Sequence, residues 1–292
     1  MTARVAAVVL AWNGREDTLA CLRALQRATY PELSIVVVDN GSTDGGPEAV
    51  AAEFPAVRLL PLGENRGFAG GVNAGADAAL GDGADAVLLL NNDATVEPGF
   101  LESLVDVACA DGVGAACAQI LDSATGRIWY AGASYDPRRG HQGRHTGYGD
   151  PPLSPATAPY ETERACGGAM LIPRAALEEV GPLDETLFAY AEDVDWSLRA
   201  RAAGVPLRLS DARATHAVGS STSGAVHAYY STRNRLWFLE RERGRPVARR
   251  EAVRTAARAA VRGMVAPGVA RARLEGVADW ARGRMGRRRY PR

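Results

Sequence analysis

Asn91-Asn92-Asp93 closes a run of four large apolar residues, Val87-Leu88-Leu89-Leu90, so two amides and a carboxylate stand where an apolar segment stops. A carboxylate is a hard oxygen ligand, and Mg²⁺ or Mn²⁺ are typically held by one such group together with substrate phosphates and several waters. The competing reading is a strand-to-helix turn in which Asn92 or Asp93 caps the next helix. Two other polar clusters have comparable potential. Asp39-Asn40-Gly41-Ser42-Thr43-Asp44 sets polar side chains around one glycine, and Glu192-Asp193-Val194-Asp195 opens a helical pattern that runs to residue 203. Carboxylates in a first helical turn are stabilised as anions by the dipole and the free N–H groups, so this second cluster reads on its own as capping.

These residues need elements to position them. Consecutive apolar residues without helical spacing fit a strand buried on both faces, the signature of a parallel sheet covered by helices. Residues 4–11, 33–38 and 57–60 read as further buried strands, the first followed by the turn Trp12-Asn13-Gly14. Residues 15–28, with Leu19, Leu22 and Leu25 on one face, read as a helix. Another helix opens with Phe68-Ala69-Gly70-Gly71-Val72-Asn73, after the polar loop Gly63-Glu64-Asn65-Arg66-Gly67. This alternation predicts a doubly wound α/β sheet with right-handed crossovers. Such sheets bind ligands beyond the carboxyl ends of their strands, so Asn13, Asp39, Asn40, Asn65, Asn73 and Asp93 are expected to converge on one edge. No G-x-G-x-x-G follows the first strand and no P-loop is present. The expected site therefore holds a nucleotide with side-chain amides, carboxylates and a metal instead of a glycine cradle.

Composition narrows the class. The 292 residues are 47% apolar and 23% charged, as in ordinary soluble proteins, and suffice for one large domain or two smaller ones. No apolar stretch approaches the length of a membrane span and no signal peptide is visible, which predicts a cytoplasmic protein. Cys21, Cys109, Cys117 and Cys166 form no C-x-x-C pair, so small buried residues are expected instead of a zinc ribbon or disulfides. All 34 basic residues are Arg, and from Glu240 onward 16 Arg face five acidic residues. The neutral total thus hides an acidic body with a basic tail.

The segments VVLAWNG, VVVDNGSTD, ENRGFAGGVNAG and LLLNNDATVEPGFL, in this order, resemble the nucleotide-binding half of family 2 glycosyltransferases of the GT-A fold, nearest to the rhamnosyltransferase-like branch. CGGAMLIPR and GPLDETLFAYAEDVDWSLRARAAG resemble the acceptor half, so the likeness covers roughly the first 240 residues. It implies a Rossmann-like, mostly parallel sheet flanked by helices in residues 1–243, divided into a nucleotide-sugar half (1–110) and an acceptor half (111–243), with a basic helical extension over 244–292. It implies that Asp39 accepts the imide N–H of a uracil or thymine, with Asn13 and Asn65 near the nucleoside and Trp12, Asn40, Ser42, Gly67, Asn73, Asn91 and Asn92 also among the residues that bind the nucleotide-sugar. Asn91-Asn92-Asp93 stands for the family's D-x-D motif with Asp93 on the metal, and Asn91 is a departure that leaves one carboxylate where the motif has two. By the same resemblance Asp193 is the base and Glu192 its rival, His216 completes the metal site, and Arg233 grips the pyrophosphate. Gly167, Gly168 and Trp129 fall on the acceptor side, while Asp195 is expected to brace Arg199 one helical turn on.

Residues 98–105 read as a helix, and 113–121 and 127–134 as strands. Residues 136–159, with five Pro and four Gly, read as a long irregular loop: an acceptor lid or a segment without a role. In the tail, Val253, Ala257, Val261 and Val265 alternate with Arg250, Arg254, Arg258 and Arg262, a pattern suited to an anionic membrane face, to the acidic body or to a partner chain. Nucleic-acid binding is disfavoured by the sparse aromatics. The expected function is an inverting, Mg²⁺- or Mn²⁺-dependent transfer of a sugar, rhamnose among the candidates, from a TDP- or UDP-sugar to a hydroxyl on a glycan, lipid-linked or specialised-metabolite acceptor. A nucleotide-sugar-binding module impaired in catalysis is the alternative, motivated by Asn91. A nucleotidyltransferase is a third class, but the chain has no Lys for its glycine- and lysine-rich loop.

Overall fold

The computed structural model describes residues 2–110, 114–140, 143–154, 159–217, 224–262 and 265–288. Expected features at 113, 141–142, 155–158, 218–221 and 289–292, and the side chain of Arg262, lie outside that set. Strands β1 (Val5–Ala11), β2 (Leu33–Asp39), β3 (Arg58–Pro61) and β4 (Ala86–Asn91) run parallel in the order β3-β2-β1-β4. Their crossovers are the helices α1 (Arg15–Gln26), α2 (Gly46–Glu53) and α3 (Gly67–Gly81). The apolar run before Asn91 is buried throughout because helices cover both faces of the sheet. Gly75 lets α3 approach closely, since a Cβ there would stand 2.4 Å from Val8 and 2.7 Å from Val38.

Beyond β4 the sheet changes character. After β5 (Ala94–Val96), β6 (Ala115–Asp122), β7 (Ile128–Tyr130), β8 (Tyr160–Glu161), β9 (Ala169–Pro173) and β10 (Leu207–His216), the main order continues β4-β9-β6-β10-β5. β9 is antiparallel to both β4 and β6. The turn after Asn91 leads into β5, not into a helix, so the reading of Asn92 or Asp93 as a helix cap does not hold. Residues 127–134 form a strand of only three residues, because the chain turns at Gly132 with φ 80°. Among the cysteines Cys21, Cys117 and Cys166 are buried as expected, and Cys109 is exposed.

Helices α4 (Phe100–Ala108), α5 (Arg174–Val180), α6 (Glu192–Ala202), α7 (Gly224–Arg243), α8 (Arg245–Arg262) and α9 (Pro267–Ala281) complete the chain. Leu236 and Leu239 of α7, Ala248 and Ala252 of α8 and Trp280 of α9 form one apolar cluster. The segment after α9 returns to the body: Gly286 N–H donates to Thr186 O at 2.7 Å, and Arg287 pairs with Glu64 at 2.8 Å. The outer face of α8 keeps Val253 and Val261 more than two-thirds exposed. No helix among the described residues is long and apolar enough to cross a membrane.

Candidate active site

The carboxyl edge of the parallel strands gathers the polar residues into one line of contacts. Asp39 Oδ1 accepts from Ser42 N–H at 2.8 Å, closing an Asx-type turn. Ser42 Oγ in turn accepts from Asn13 N–H at 2.9 Å, and Asn13 Oδ1 accepts from Thr43 N–H at 2.9 Å. Asn13 sits at φ 61°, in the left-handed region that Asn tolerates better than most residues. Under this turn lies a small cavity lined by Ala11, Asn13, Asp39, Ser42, Pro47, Val50 and Leu59. With about 10 Å³ of free space it has room for little more than a water, so a base would meet the Asp39 carboxylate at its mouth. Trp12, next in sequence to Asn13, stands 44% exposed.

Asn40 and Asn65 fix the next loop. Asn40 Oδ1 accepts from Arg66 N–H at 2.7 Å, its amide donates to Gly67 O at 3.1 Å, and Asn65 Oδ1 accepts from Gly67 N–H at 2.8 Å. Both side chains shape the entry to α3. Gly67 is required there: its φ is 79°, and a Cβ would fall 2.2 Å from Phe188 O. Asn73, expected at the nucleoside, is occupied elsewhere. Its amide holds Leu183 O at 2.9 Å and Glu185 Oε1 at 3.0 Å, and its oxygen accepts from Leu183 N–H at 3.0 Å, so it pins the 183–185 loop to α3.

At the tip of β4 the Asn92 amide donates to Asn13 O at 3.3 Å and Thr18 Oγ1 at 2.9 Å, tying this strand to the β1–α1 turn. Asn91 N–H donates to Gly168 O at 3.1 Å, and its Nδ2 lies 3.4 Å from His216 Nε2. Asp93 is almost fully buried. His216 Nε2 approaches its Oδ1 to 2.9 Å, yet neither carboxylate oxygen has an aligned hydrogen bond, and His216 Nδ1 has none either. The two observations agree if the contact is close but the N–H is not aimed at the oxygen. Ligands on adjacent corners of an octahedral Mg²⁺ site, with bonds near about 2.1 Å, stand about 3 Å apart. A buried carboxylate without an aligned hydrogen bond and an imidazole nitrogen 2.9 Å from it have a spacing compatible with a divalent cation.

The strand β10 delivers His216 to that position. Antiparallel pairing with β5 sets His216 opposite Ala94, one residue from Asp93. Sequence reading found the histidine but not its strand, because the inward residues Ala212 and Ala214 are too small to make the alternation stand out among Arg208, Asp211 and Arg213.

The acidic turn arrives from the other side. Asp193 Oδ2 accepts from Gly167 N–H at 3.2 Å and Oδ1 from Val194 N–H at 2.8 Å. The dipeptide Gly167-Gly168 thus touches Asp193 with one residue and Asn91 with the next. Glu192 is buried, with Oε2 unpartnered; burial, then the neighbouring Asp193 charge, push its carboxyl up to about 8. Asp195 is braced by Arg199 at 2.8 Å, as expected, and also by Arg241 at 2.5 Å. Trp129 lies between two histidines, its ring centroid 5.8 Å from His216 and 5.0 Å from His145. His145, absent from the sequence expectations, comes from the long loop, which folds back along β7 through Thr146 N–H to Gly132 O at 2.9 Å. Burial lowers its pKa.

Arg233 does not present its guanidinium to the cleft. It is fully buried, stacked 5.0 Å from the Tyr230 ring, and donates to Gly286 O at 2.6 Å and Leu187 O at 2.9 Å. The pyrophosphate role expected of it is not available in this arrangement, because its donors are turned to backbone carbonyls.

This architecture is that of the GT-A glycosyltransferases. A crystal structure of GalNAc-T7 with UDP, GalNAc and Mn²⁺ matches it with a TM-score of 0.63 at 17% identity, over 82% of this chain and 48% of that one. The mannosyltransferase PcManGT from Pyrobaculum calidifontis, in complex with GDP-Man and Mn²⁺, matches with a TM-score of 0.57 at 18% identity, over 96% and 88% of the respective chains. Residues 6–181 match the pattern described as Glycosyl transferase family 2, and the chain belongs to that family. An N-acetylglucosaminyl-diphospho-decaprenol L-rhamnosyltransferase of Mycobacterium tuberculosis is 34% identical over 203 residues, which are 63% of this chain and 66% of that relative, just under two-thirds of its length. The dTDP-rhamnosyl transferase RfbF of Shigella flexneri is 22% identical over 82% of this chain and 81% of its own.

Proposed function

We propose that this chain is an inverting, divalent-cation-dependent glycosyltransferase that moves a sugar, rhamnose first among candidates, from a TDP- or UDP-sugar to a hydroxyl of a lipid-linked glycan or similar acceptor. The names of the two rhamnosyltransferase relatives support the sugar and the lipid-linked acceptor, and the Mn²⁺ complexes among the fold relatives support the cation. The observation that carries the reading is the unbroken line of contacts Asp39–Ser42–Asn13–Asn92, with Asp93 at the tip of β4 against His216, and Asn91–Gly168–Gly167–Asp193 beside it. These contacts support assigning the base, cation and proton-acceptor roles to one cleft.

In this reading Asp39 receives the pyrimidine, and Asp193 takes the proton of the acceptor hydroxyl as its oxygen bonds to the anomeric carbon. The bond from that carbon to the nucleoside diphosphate breaks on the opposite face, and the diphosphate departs. A divalent cation held by Asp93 and His216 would neutralise the charge developing on the leaving group. Glu192 keeps its proton at neutral pH and is therefore a poor base; Asp193 fills that role. Residues 1–243 form the catalytic body in this proposal, and 244–292 the extension.

Thermal unfolding with a panel of UDP-, TDP- and GDP-sugars tests the donor. UDP- and TDP-sugars with Mn²⁺ are expected to raise the midpoint by about 5 °C or more at saturation, and GDP-sugars to have little effect. A preference for GDP-sugars would contradict the role of Asp39. For the extension we infer contact with an anionic membrane, since exposed Val253 and Val261 share a face with exposed Arg250, Arg254 and Arg258. Each Arg near such a surface contributes about 1 kcal/mol, screened by salt. Sedimentation with phosphatidylglycerol vesicles, but not phosphatidylcholine vesicles, is expected and should weaken in Val253→Asp/Val261→Asp; equal binding to both lipids would exclude it.

A further inference from the structure

The residues leading into the acidic helix adopt a shape that their sequence does not favour. Phe188 has φ 64° and ψ −59°, and Ala189 N–H donates to Leu187 O at 2.8 Å across it, which makes a γ-turn of the rare, strained hand. Tyr190 and Ala191 have φ 67° and 79°. Three positive φ values at non-glycine positions within four residues persist only where surroundings over-determine them, and such strain gathers at functional sites. Here it stands immediately before Glu192 and Asp193.

The surroundings are two adjacent residues of α7. Asn234, fully buried, directs its amide nitrogen at Leu187 O, Ala189 O and Tyr190 O, at 3.1, 2.9 and 2.7 Å. Its orientation is not arbitrary: Arg233 Nε donates to Asn234 Oδ1 at 3.0 Å, so the oxygen faces the guanidinium and the nitrogen faces the carbonyls. Arg233 adds a bond of its own to Leu187 O. From the other side, Phe68 N–H at the start of α3 donates to Phe188 O at 2.7 Å, and Gly67 leaves room for that oxygen. The turn is therefore clamped between the start of α3 and α7.

We propose that Arg233 and Asn234 are positioning residues for the transfer step: they hold the 187–191 turn in its strained shape, and that shape sets Asp193 against Gly167 at the edge of the cleft. The proposal rests on Asp193 being the base. Without the three carbonyl bonds the turn relaxes toward ordinary negative φ, and since Ala191 is the residue before α6, a change there rotates the first helical turn and its carboxylates. Asp39, Ser42 and Asn13 make none of the turn's contacts, so nucleotide binding is expected to persist. The clamp also explains why a pair of buried polar residues occupies the inward face of α7, where apolar side chains would pack more simply.

The test compares wild type, Asn234→Ala, Asn234→Ser and Asn234→Ala/Ala191→Gly. Release of TDP from TDP-rhamnose and of UDP from UDP-glucose is measured in Mn²⁺, TDP affinity by calorimetry, and amide exchange by mass spectrometry. Asn234→Ala is expected to lower kcat at least about tenfold with TDP affinity within about twofold of wild type, and to speed exchange across 187–193 and at Phe68, whose N–H donates to Phe188 O, while leaving β1 as it was. Ala191→Gly, which removes the penalty for positive φ, is expected to restore part of kcat. If Asn234→Ala does not fold, Asn234→Ser, which keeps one donor, is read in its place with a smaller loss. Unchanged exchange at 187–193 overturns the proposal whether or not either donor turns over. So does unchanged kcat in a background where Asp193→Asn is inactive, whereas an active Asp193→Asn would instead refute the base assignment.

Discussion

Asp193→Asn is expected to lower sugar transfer by about 10²–10⁴-fold, the range that a positioned general base supplies, while TDP or UDP affinity stays within about twofold of wild type. The amide preserves the size of the side chain and can still accept from one of the two N–H groups, of Gly167 at 3.2 Å or Val194 at 2.8 Å, that now meet the carboxylate, so the main loss is the proton acceptor. Steady-state kinetics beside calorimetric nucleotide titration separates the two effects; turnover within about tenfold of wild type would remove Asp193 from the mechanism. Glu192→Gln provides the contrast. Glu192 carries its proton up to about pH 8, against an ordinary value of 4.5, so the amide mimics its neutral state and turnover near pH 7 should change little. The same shift fixes the sign for stability. Between those two values the folded chain binds more protons than the unfolded one, so this group's contribution is intact below pH 4.5 and is lost as pH rises toward 8. In Glu192→Gln that pH-dependent loss should be absent from denaturation curves. A large fall in transfer for Glu192→Gln, with Asp193→Asn active, would exchange the two roles.

The nucleotide half was legible because β1, β4 and the second half of β2 are buried and announce themselves as apolar runs, whereas β3, expected to be buried, is a half-exposed edge strand. Val87-Leu88-Leu89-Leu90 and residues 33–38 can hardly be read otherwise, and a parallel sheet then dictates which ends face the ligand. What was not legible depends on partners distant in sequence. The amide of Asn73 reads identically whether it meets a ribose or Leu183 O, 110 residues away. Arg233 carried a charge that suggested phosphate, and only the fold shows it stacked on Tyr230 and bonded to carbonyls from two other segments. Asn234 gave no signal at all, since its value lies in the three carbonyls it happens to reach. His145 was hidden in a segment rich in Gly and Pro. The β10 strand and the short β5 went unseen for the reverse reason: the half of β10 that leads to His216 buries only Ala212 and Ala214, β5 is three residues long, and the tertiary pairing that stabilises them is what brings His216 to Asp93.

That pairing leads to the other large effect, at Asp93. A buried carboxylate with no aligned hydrogen bond is costly, of the order of several kcal/mol before relaxation, unless a cation compensates it. One substitution therefore has two opposite consequences. In chelator, Asp93→Asn is expected to be more stable than wild type by about 1 kcal/mol, because an amide replaces a buried carboxylate that lacks an aligned hydrogen bond and can turn toward His216 Nε2. With Mn²⁺ and TDP present the order reverses: wild type gains the linkage stabilisation of a bound complex, about 2.7 kcal/mol at a hundred times Kd, and the variant gains little of it. Transfer should fall by at least about a hundredfold, since roughly 2.7 kcal/mol is a modest share of what a Lewis-acid cation contributes. His216→Ala should lie between the two, for it removes one ligand and leaves the carboxylate in place. With Asn91 offering no second carboxylate, the nucleotide diphosphate must supply more of the coordination sphere, so Mn²⁺ binding alone should be weak and strengthen markedly when TDP is added. Unfolding curves in chelator, in Mn²⁺ and in Mn²⁺ with TDP distinguish these states. If Asp93→Asn responds to Mn²⁺ and TDP as wild type does, the cation is held elsewhere.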